Sequence, residues 1–234
     1  MILTISSKDR NPSYSSNNFT IPLPIPMRAK YISLLEVVLP NSIYNVDSSN
    51  QILPINDGTT NINILITPGA YTITNLVSQL QNQLNSSSSG FTVTYSSTTL
   101  QLTISRTTNF SLRFGSVPNN ISYVLGFTST DTNLSTTFTG TNVIALNSPM
   151  SIYIRINDFI DGYTSSGLPY TFRQTVTMNN PGVIIDEKIN LWPFTICLPM
   201  CQNIQHVQIV LYKANGSPLN LNGSDFEIIL KFEE

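Results

Sequence analysis

His206-Val-Gln-Ile-Val-Leu-Tyr-Lys213 and Asp225-Phe-Glu-Ile-Ile-Leu-Lys-Phe232 stand near the C-terminal end, joined by a linker that contains Asn215-Gly216 and Asn222-Gly223. Both segments alternate. Val207, Ile209 and Leu211 share one face of the first, and Phe226, Ile228, Leu230 and Phe232 share one face of the second. Asn-Gly pairs are strong turn signals, so the stretch reads as two antiparallel strands around a turn-rich connection. Two such strands after a largely β-patterned body predict a β-sandwich whose last strands seal the core. The question then moves from catalysis to surfaces, edges and assembly.

Composition supports this. The 234 residues suffice for one large β domain or one domain carrying an insertion. Hydrophobic residues make up 41%, enough for a sizeable core, whereas charged residues make up only 10% against roughly a quarter in an ordinary soluble domain. Ser, Thr and Asn occupy positions where Lys and Glu usually sit, which favours strands and turns over helix interiors. The net charge of −2 and the scattered 11 Lys and Arg argue against specific nucleic-acid binding, which needs clustered phosphate-neutralising cations. Met1-Ile-Leu-Thr-Ile-Ser6 lacks the basic and apolar regions of a secretory signal, and no run approaches the ~20 apolar residues of a membrane span. Synthesis in a cytoplasm is expected, and the seven Asn-X-Ser/Thr sequons are then chance products of an Asn-, Ser- and Thr-rich chain.

Further strands are read at Asn18 to Pro24, Tyr31 to Leu39, Asn61 to Thr67, Ser151 to Ile156, Thr171 to Thr177 and Val183 to Ile185. The prolines at 22, 24 and 26 suit an edge strand or an extended exit. One helix is predicted near 72–84, where Leu76, Leu80 and Leu84 recur every four residues beside Ile73 and Val77, with Thr72 or Thr74 as N-cap. It is expected to pack on a hairpin made of 91–95 and 100–104, turning at Ser96 to Thr99. Phe110 to Phe114 is read as a third strand, Asn120 to Leu125 as a helical turn, and 128–148 as polar and irregular. The fold expected is an all-β single jelly-roll from 1–60 and 149–234, with a small inserted α+β unit at 61–148.

Catalytic chemistry finds little support. His206 is the sole histidine, and a Ser-His-Asp or Cys-His site would have to use it. No Gly-X-Ser-X-Gly elbow, P-loop, GxGxxG or HExxH is present. Cys197 and Cys201 with His206 form C-x3-C-x4-H, but structural zinc needs four ligands; buried free thiols are the simpler reading. The carboxylate pairs Asp158/Asp161, Asp186/Glu187 and Asp225/Glu227 show no spacing that places two carboxyls across a cleft. No catalytic residue, cofactor or metal site is therefore assigned.

The arm Ile2-Leu-Thr-Ile-Ser-Ser-Lys-Asp-Arg10 leading to Asn18-Phe-Thr-Ile-Pro-Leu-Pro24 is one of four elements that point to a family. The others are Ile32-Ser-Leu-Leu-Glu-Val-Val-Leu-Pro-Asn-Ser-Ile-Tyr-Asn45; Gly69-Ala-Tyr-Thr72 with its helix, Phe91-Thr-Val-Thr-Tyr95 and Leu125-Gly-Phe127; and the ending Asn215-Gly-Ser-Pro-Leu219 with Gly223-Ser-Asp-Phe226. Together they resemble the penton or minor capsid proteins of virophages and related Polinton-type and large icosahedral DNA viruses. The resemblance implies a homopentamer at icosahedral vertices beside trimers of a double-jelly-roll major capsid protein, located in the virion. No Arg-Gly-Asp is present, so receptor contact is left open, with the inserted domain as the surface for it. Lys8, Arg10 and Tyr14, in an arm expected to be flexible until docked, are the candidate interaction residues. A cement protein between capsomers is the alternative within the family. A β-sandwich adhesin or carbohydrate-binding module using Tyr153, Tyr163 and Tyr170 is the alternative outside it.

Overall fold

The computed structural model describes residues 1–146, 150–176, 184–188, 194–213 and 216–234; of Met150, Val176, 184–188 and Phe194 only the backbone is described. In chain order the strands are β1 (Ile2–Ser6), β2 (Asn18–Pro40), β3 (Ile52–Asn56), β4 (Asn61–Leu65), β5 (Phe91–Ser96), β6 (Gln101–Leu112) and β7 (Ser135–Thr139). They continue as β8 (Met150–Ile156), β9 (Gly162–Tyr163), β10 (Pro169–Tyr170), β11 (Phe172–Val176), β12 (Ile184–Lys188), β13 (Phe194–Lys213) and β14 (Glu227–Glu233). Helix α1 spans Ile73–Ser87 and α2 spans Ser122–Leu125. Of the expected strands, Thr177 and Val183 lie outside the described residues, as does Asn215 of the first Asn-Gly turn.

Two compact units result: Met1–Ile43 with Pro149–Glu234, and Tyr44–Ser148. The first is an antiparallel jelly-roll sheet in the order β1-β14-β2-β13-β8-β11, with β12 also on β2. The segments that opened the sequence reading are β13 and β14, and both pair with β2. Their alternation decides what they bury: Val207, Ile209, Leu211, Phe226, Ile228, Leu230 and Phe232 all enter one core with Phe19, Ile32 and Phe172.

β2 is longer than the sequence suggests. Asn18–Pro40 runs as one strand through Pro22, Pro24 and Pro26, because Pro22 is the last paired position before an interruption and Pro24 and Pro26 sit inside it. Against β13, Pro22 faces His206 and Met27 faces Ile204, so Leu23–Pro26 oppose Gln205 alone. Further along, Ala29 faces Gln202 and Tyr31 faces Cys197, so Leu198–Cys201 oppose Lys30 alone. The two irregularities are equal and opposite, and the original register returns beyond them.

The second unit has a sheet ordered β4-β3-β6-β5, with β7 on β6, and its own core around Leu53, Leu102, Phe110 and Leu112. It begins at Tyr44 rather than at 61, since β3 pairs with β4 and β6 and Val46, Leu53 and Ile55 belong to this core. Thr72 caps α1 by accepting the Asn75 N–H, and Leu76, Leu80 and Leu84 are fully buried. The helix lies on β5 as expected: Gln81 accepts the Val93 N–H at 3.0 Å, and Asn85 brackets Phe91 with two bonds of 2.9 Å. β6 absorbs most of the expected third strand. The stretch read as irregular contains β7, which pairs with Thr103–Ser105 and Phe110 of β6.

Candidate functional site

The N-terminal arm is a docked element. Leu3 and Ile5 turn inward and alternate with the exposed Ile2 and Thr4, so residues 2–6 add to β14 as an edge strand, with Ile5 in the core. Ser7 is fully buried. Its hydroxyl donates to Asp225 at 2.8 Å and accepts the Phe226 N–H at 3.0 Å, while its own N–H donates to the Phe226 carbonyl at 2.9 Å. Arg10 reaches the same carboxylate and the Ser7 carbonyl through Nη1, and its Nε donates to the Tyr14 carbonyl. The Ser7 hydroxyl, then the Arg10 guanidinium, hold the Asp225 carboxyl below the usual aspartate range against the opposing effect of burial. Of the three arm residues singled out, Arg10 is thus committed within the chain, and Lys8 and Tyr14 remain exposed. The arm is not free until docked, because hydrogen bonds hold it at both ends; at the other, the N-terminal ammonium donates to Phe232.

The residues that carry catalytic or metal chemistry do not converge on a reaction. His206 is exposed opposite Pro22; its carbonyl accepts a bond from Asn157. It lines a shallow concavity of about 580 Å³ with Asp158, Cys197 and Pro199, but among the described residues no three of His, Cys, Asp or Glu are placed to hold a metal. Asp158 instead pairs with Arg155 at 2.6 Å. Cys197 and Cys201 are free, yet neither is buried: Cys197 is exposed and Cys201 half-buried. They bracket the irregularity of β13, where Leu198 turns into the core and leaves its neighbours outside. The side chains of Asp186 and Glu187 lie outside the described residues.

The tyrosines expected of a sugar platform are packed against one another. Tyr153 is buried, stacked on Tyr212 with centroids 5.8 Å apart and tilted against Tyr170 at 5.1 Å. Tyr212 donates its hydroxyl to the Pro169 carbonyl, and burial raises its pKa above that of a free tyrosine. Of the three candidates only Tyr163 is well exposed.

What the jelly-roll unit does present is apolar side chains at the interruptions of its longest strand pair. Ile25, in the β2 irregularity, and Met200, in that of β13, are each 66% exposed. A signal for them existed in the proline-bearing sequences Pro22–Pro26 and Leu198-Pro-Met200. Alternation alone would have placed these side chains by parity, not at the outward bend.

No family model and no curated protein matches the chain. Among solved structures it is similar to the mavirus penton protein, with a TM-score of 0.54 and 11% identity over 99% of this chain and 98% of that one. It also aligns with a chain of the Sputnik virophage structure from electron cryo-microscopy, with a TM-score of 0.48 and 13% identity over 98% and 96% of the two chains. The likeness to the mavirus penton protein is one of fold.

Proposed function

We propose that this chain is a structural subunit of an icosahedral viral capsid, and that it forms the homopentameric penton closing fivefold vertices beside trimers of the major capsid protein. The observation that carries the reading is the likeness to the mavirus penton protein, which runs through nearly the whole of both chains and so takes in the inserted unit as well as the jelly-roll. Two features of the molecule support it. The charge content of 10% suits a subunit that buries much of its flank, because interface cores are depleted in charge. The exposed Ile25 and Met200 supply apolar side chains to such a flank.

Native mass spectrometry tests the reading. Five copies of the 25.9 kDa chain give a species near 129.5 kDa. Ile25→Ser and Met200→Ser should each dissociate that species while leaving thermal stability unchanged. A protein that stays monomeric alone, and stays out of shells assembled with the major capsid protein, would overturn the proposal.

A further inference from the structure

Cys197 and Cys201 are the two cysteines of the chain, and the fold brings them closer than their spacing implies. In an uninterrupted strand, residues four apart stand roughly 13 Å from one another, about twice what a disulfide spans. β13 is interrupted between them. Cys197 faces Tyr31 and Gln202 faces Ala29, so the chain from Cys197 to Gln202 advances by only two residues of β2. The Cα atoms of Cys197 and Gln202 are thereby held roughly 7 Å apart, and Cys201 precedes Gln202 at the same neck. A disulfide bridges Cα separations of roughly 4.4–6.8 Å, so the neck of this bulge has the width that one needs.

The two side chains also leave the sheet on the same side. Cys197 and its partner Tyr31 are exposed, whereas Ile196 and its partner Ile32 are buried. Beyond the bulge, Asn203 and Arg28 are exposed, and Ile204 and Met27 are buried. Alternation counted back from Asn203 sets Cys201 on the outer face with Cys197. The Cys197 thiol donates to the Leu198 carbonyl at 3.6 Å, a weak bond that lays Sγ over the bulge. Both thiols are open to a reagent. Cys197 is exposed and Cys201 half-buried, and the concavity lined by Cys197 and Pro199 admits a small disulfide.

We infer that Cys197 and Cys201 are a modification site, a thiol pair that a small-molecule disulfide converts into an intrachain disulfide. The Cys197 thiolate attacks one sulfur of the reagent and expels the other half as a thiolate. The Cys201 thiolate then attacks Cys197 Sγ of the mixed disulfide and expels the second half. The protein gives up two electrons and two protons, and the reagent leaves, reduced, as two thiols. Closure pins the neck of the bulge while Leu198 stays in the core, and fixes Pro199 and Met200 as the crown of a five-residue ring. The surrounding thiol pool thus sets the shape of this outward bend. The site belongs to the single chain and does not depend on the penton reading.

The test is equilibration of the full chain at pH 7 in mixtures of reduced and oxidised glutathione, then acid quenching, alkylation and intact-mass measurement. Closure lowers the mass by about 2 Da and blocks both thiols, whereas a mixed disulfide adds the mass of glutathione. A neck preformed by the fold closes more readily than the same chain unfolded in urea. Chain entropy limits the gain for a five-residue loop to about thirtyfold in the equilibrium constant. The folded chain should therefore close at a ratio of squared reduced to oxidised glutathione about tenfold to thirtyfold higher than the unfolded one. Cys201→Ser should stop at a single glutathione adduct on Cys197. Met200→Ser, which the penton reading makes monomeric, is run alongside; closure there but not in the wild type supports the inference and adds that assembly shields the pair. Glutathione retained on both cysteines of both chains would overturn it. So would closure no easier than in urea, or a disulfide formed between two chains.

Discussion

Ser7→Ala removes one oxygen and should cost far more than one exposed hydrogen bond. The hydroxyl is buried between two obligations, donating to Asp225 at 2.8 Å and accepting the Phe226 N–H at 3.0 Å. Alanine leaves a buried N–H without a partner, which costs about 1–3 kcal/mol, and deletes a bond to a charged acceptor worth about 1.5–3 kcal/mol. The second is discounted because Asp225 keeps Arg10 and partial solvent. A net loss of about 2–4 kcal/mol follows, or roughly 5–15 °C in thermal midpoint for a chain of this size. The substitution also acts on acid stability. Asp225 sits below its unfolded pKa, so its contribution is whole above about pH 4 and disappears as pH falls through the folded value. Without Ser7 the folded value rises towards the unfolded one, and less stability is left to lose in acid. Urea unfolding of Ser7→Ala, Asp225→Asn and the double variant at pH 7 and pH 3 gives the coupling directly. A Ser7→Ala cost below about 0.5 kcal/mol, or additive costs in the cycle, would refute the reasoning.

Leu80→Ala should destabilise by about 2–5 kcal/mol, since the side chain is fully buried under α1; amide exchange should show the loss concentrated in residues 44–148. Gly126→Ala should be as severe, because φ is +77° and a Cβ would lie 2.9 Å from the Val143 oxygen and closer to that of Asn142; a midpoint within 2 °C of wild type would contradict this packing. In acid, Asp57 should hold its turn longest: N–H bonds from Thr60 and then Thr59 lower its pKa to about 2. Its stabilising effect is therefore complete above about pH 4 and lost towards pH 2, and Asp57→Asn should remove that part of the urea-midpoint profile.

Periodicity carried the reading wherever one face was buried. Leu76, Leu80 and Leu84 announced α1, with Thr72 or Thr74 as its cap, of which Thr72 is the one used, and Phe226 to Phe232 announced the closing strand. It failed where pairing came from afar. Ser135-Thr-Thr-Phe-Thr139 offers one apolar side chain, and only β6 beside it makes it a strand. The prolines of β2 suggested an ending, yet β13 resumes the pairing on the far side. The candidate site was legible in composition, as a charge content of only 10%, and much less so in its residues. Arg10 was visible as a cation, but its consumption by a carboxylate 215 residues away was not.

The paired irregularities of β2 and β13 also bear on how such a chain can change length. In an uninterrupted antiparallel pair, losing one residue turns every later side chain to the opposite face. Here four residues already stand against one on each strand, in opposite senses. A deletion within Pro24–Pro26 or Pro199–Cys201 can be taken up locally, with Phe19, Ile32, Ile196, Leu198 and Ile209 still facing inward. These two places are where descendants of this sequence can gain or lose residues, and so remodel the flank they show to neighbours, while inheriting the core unaltered.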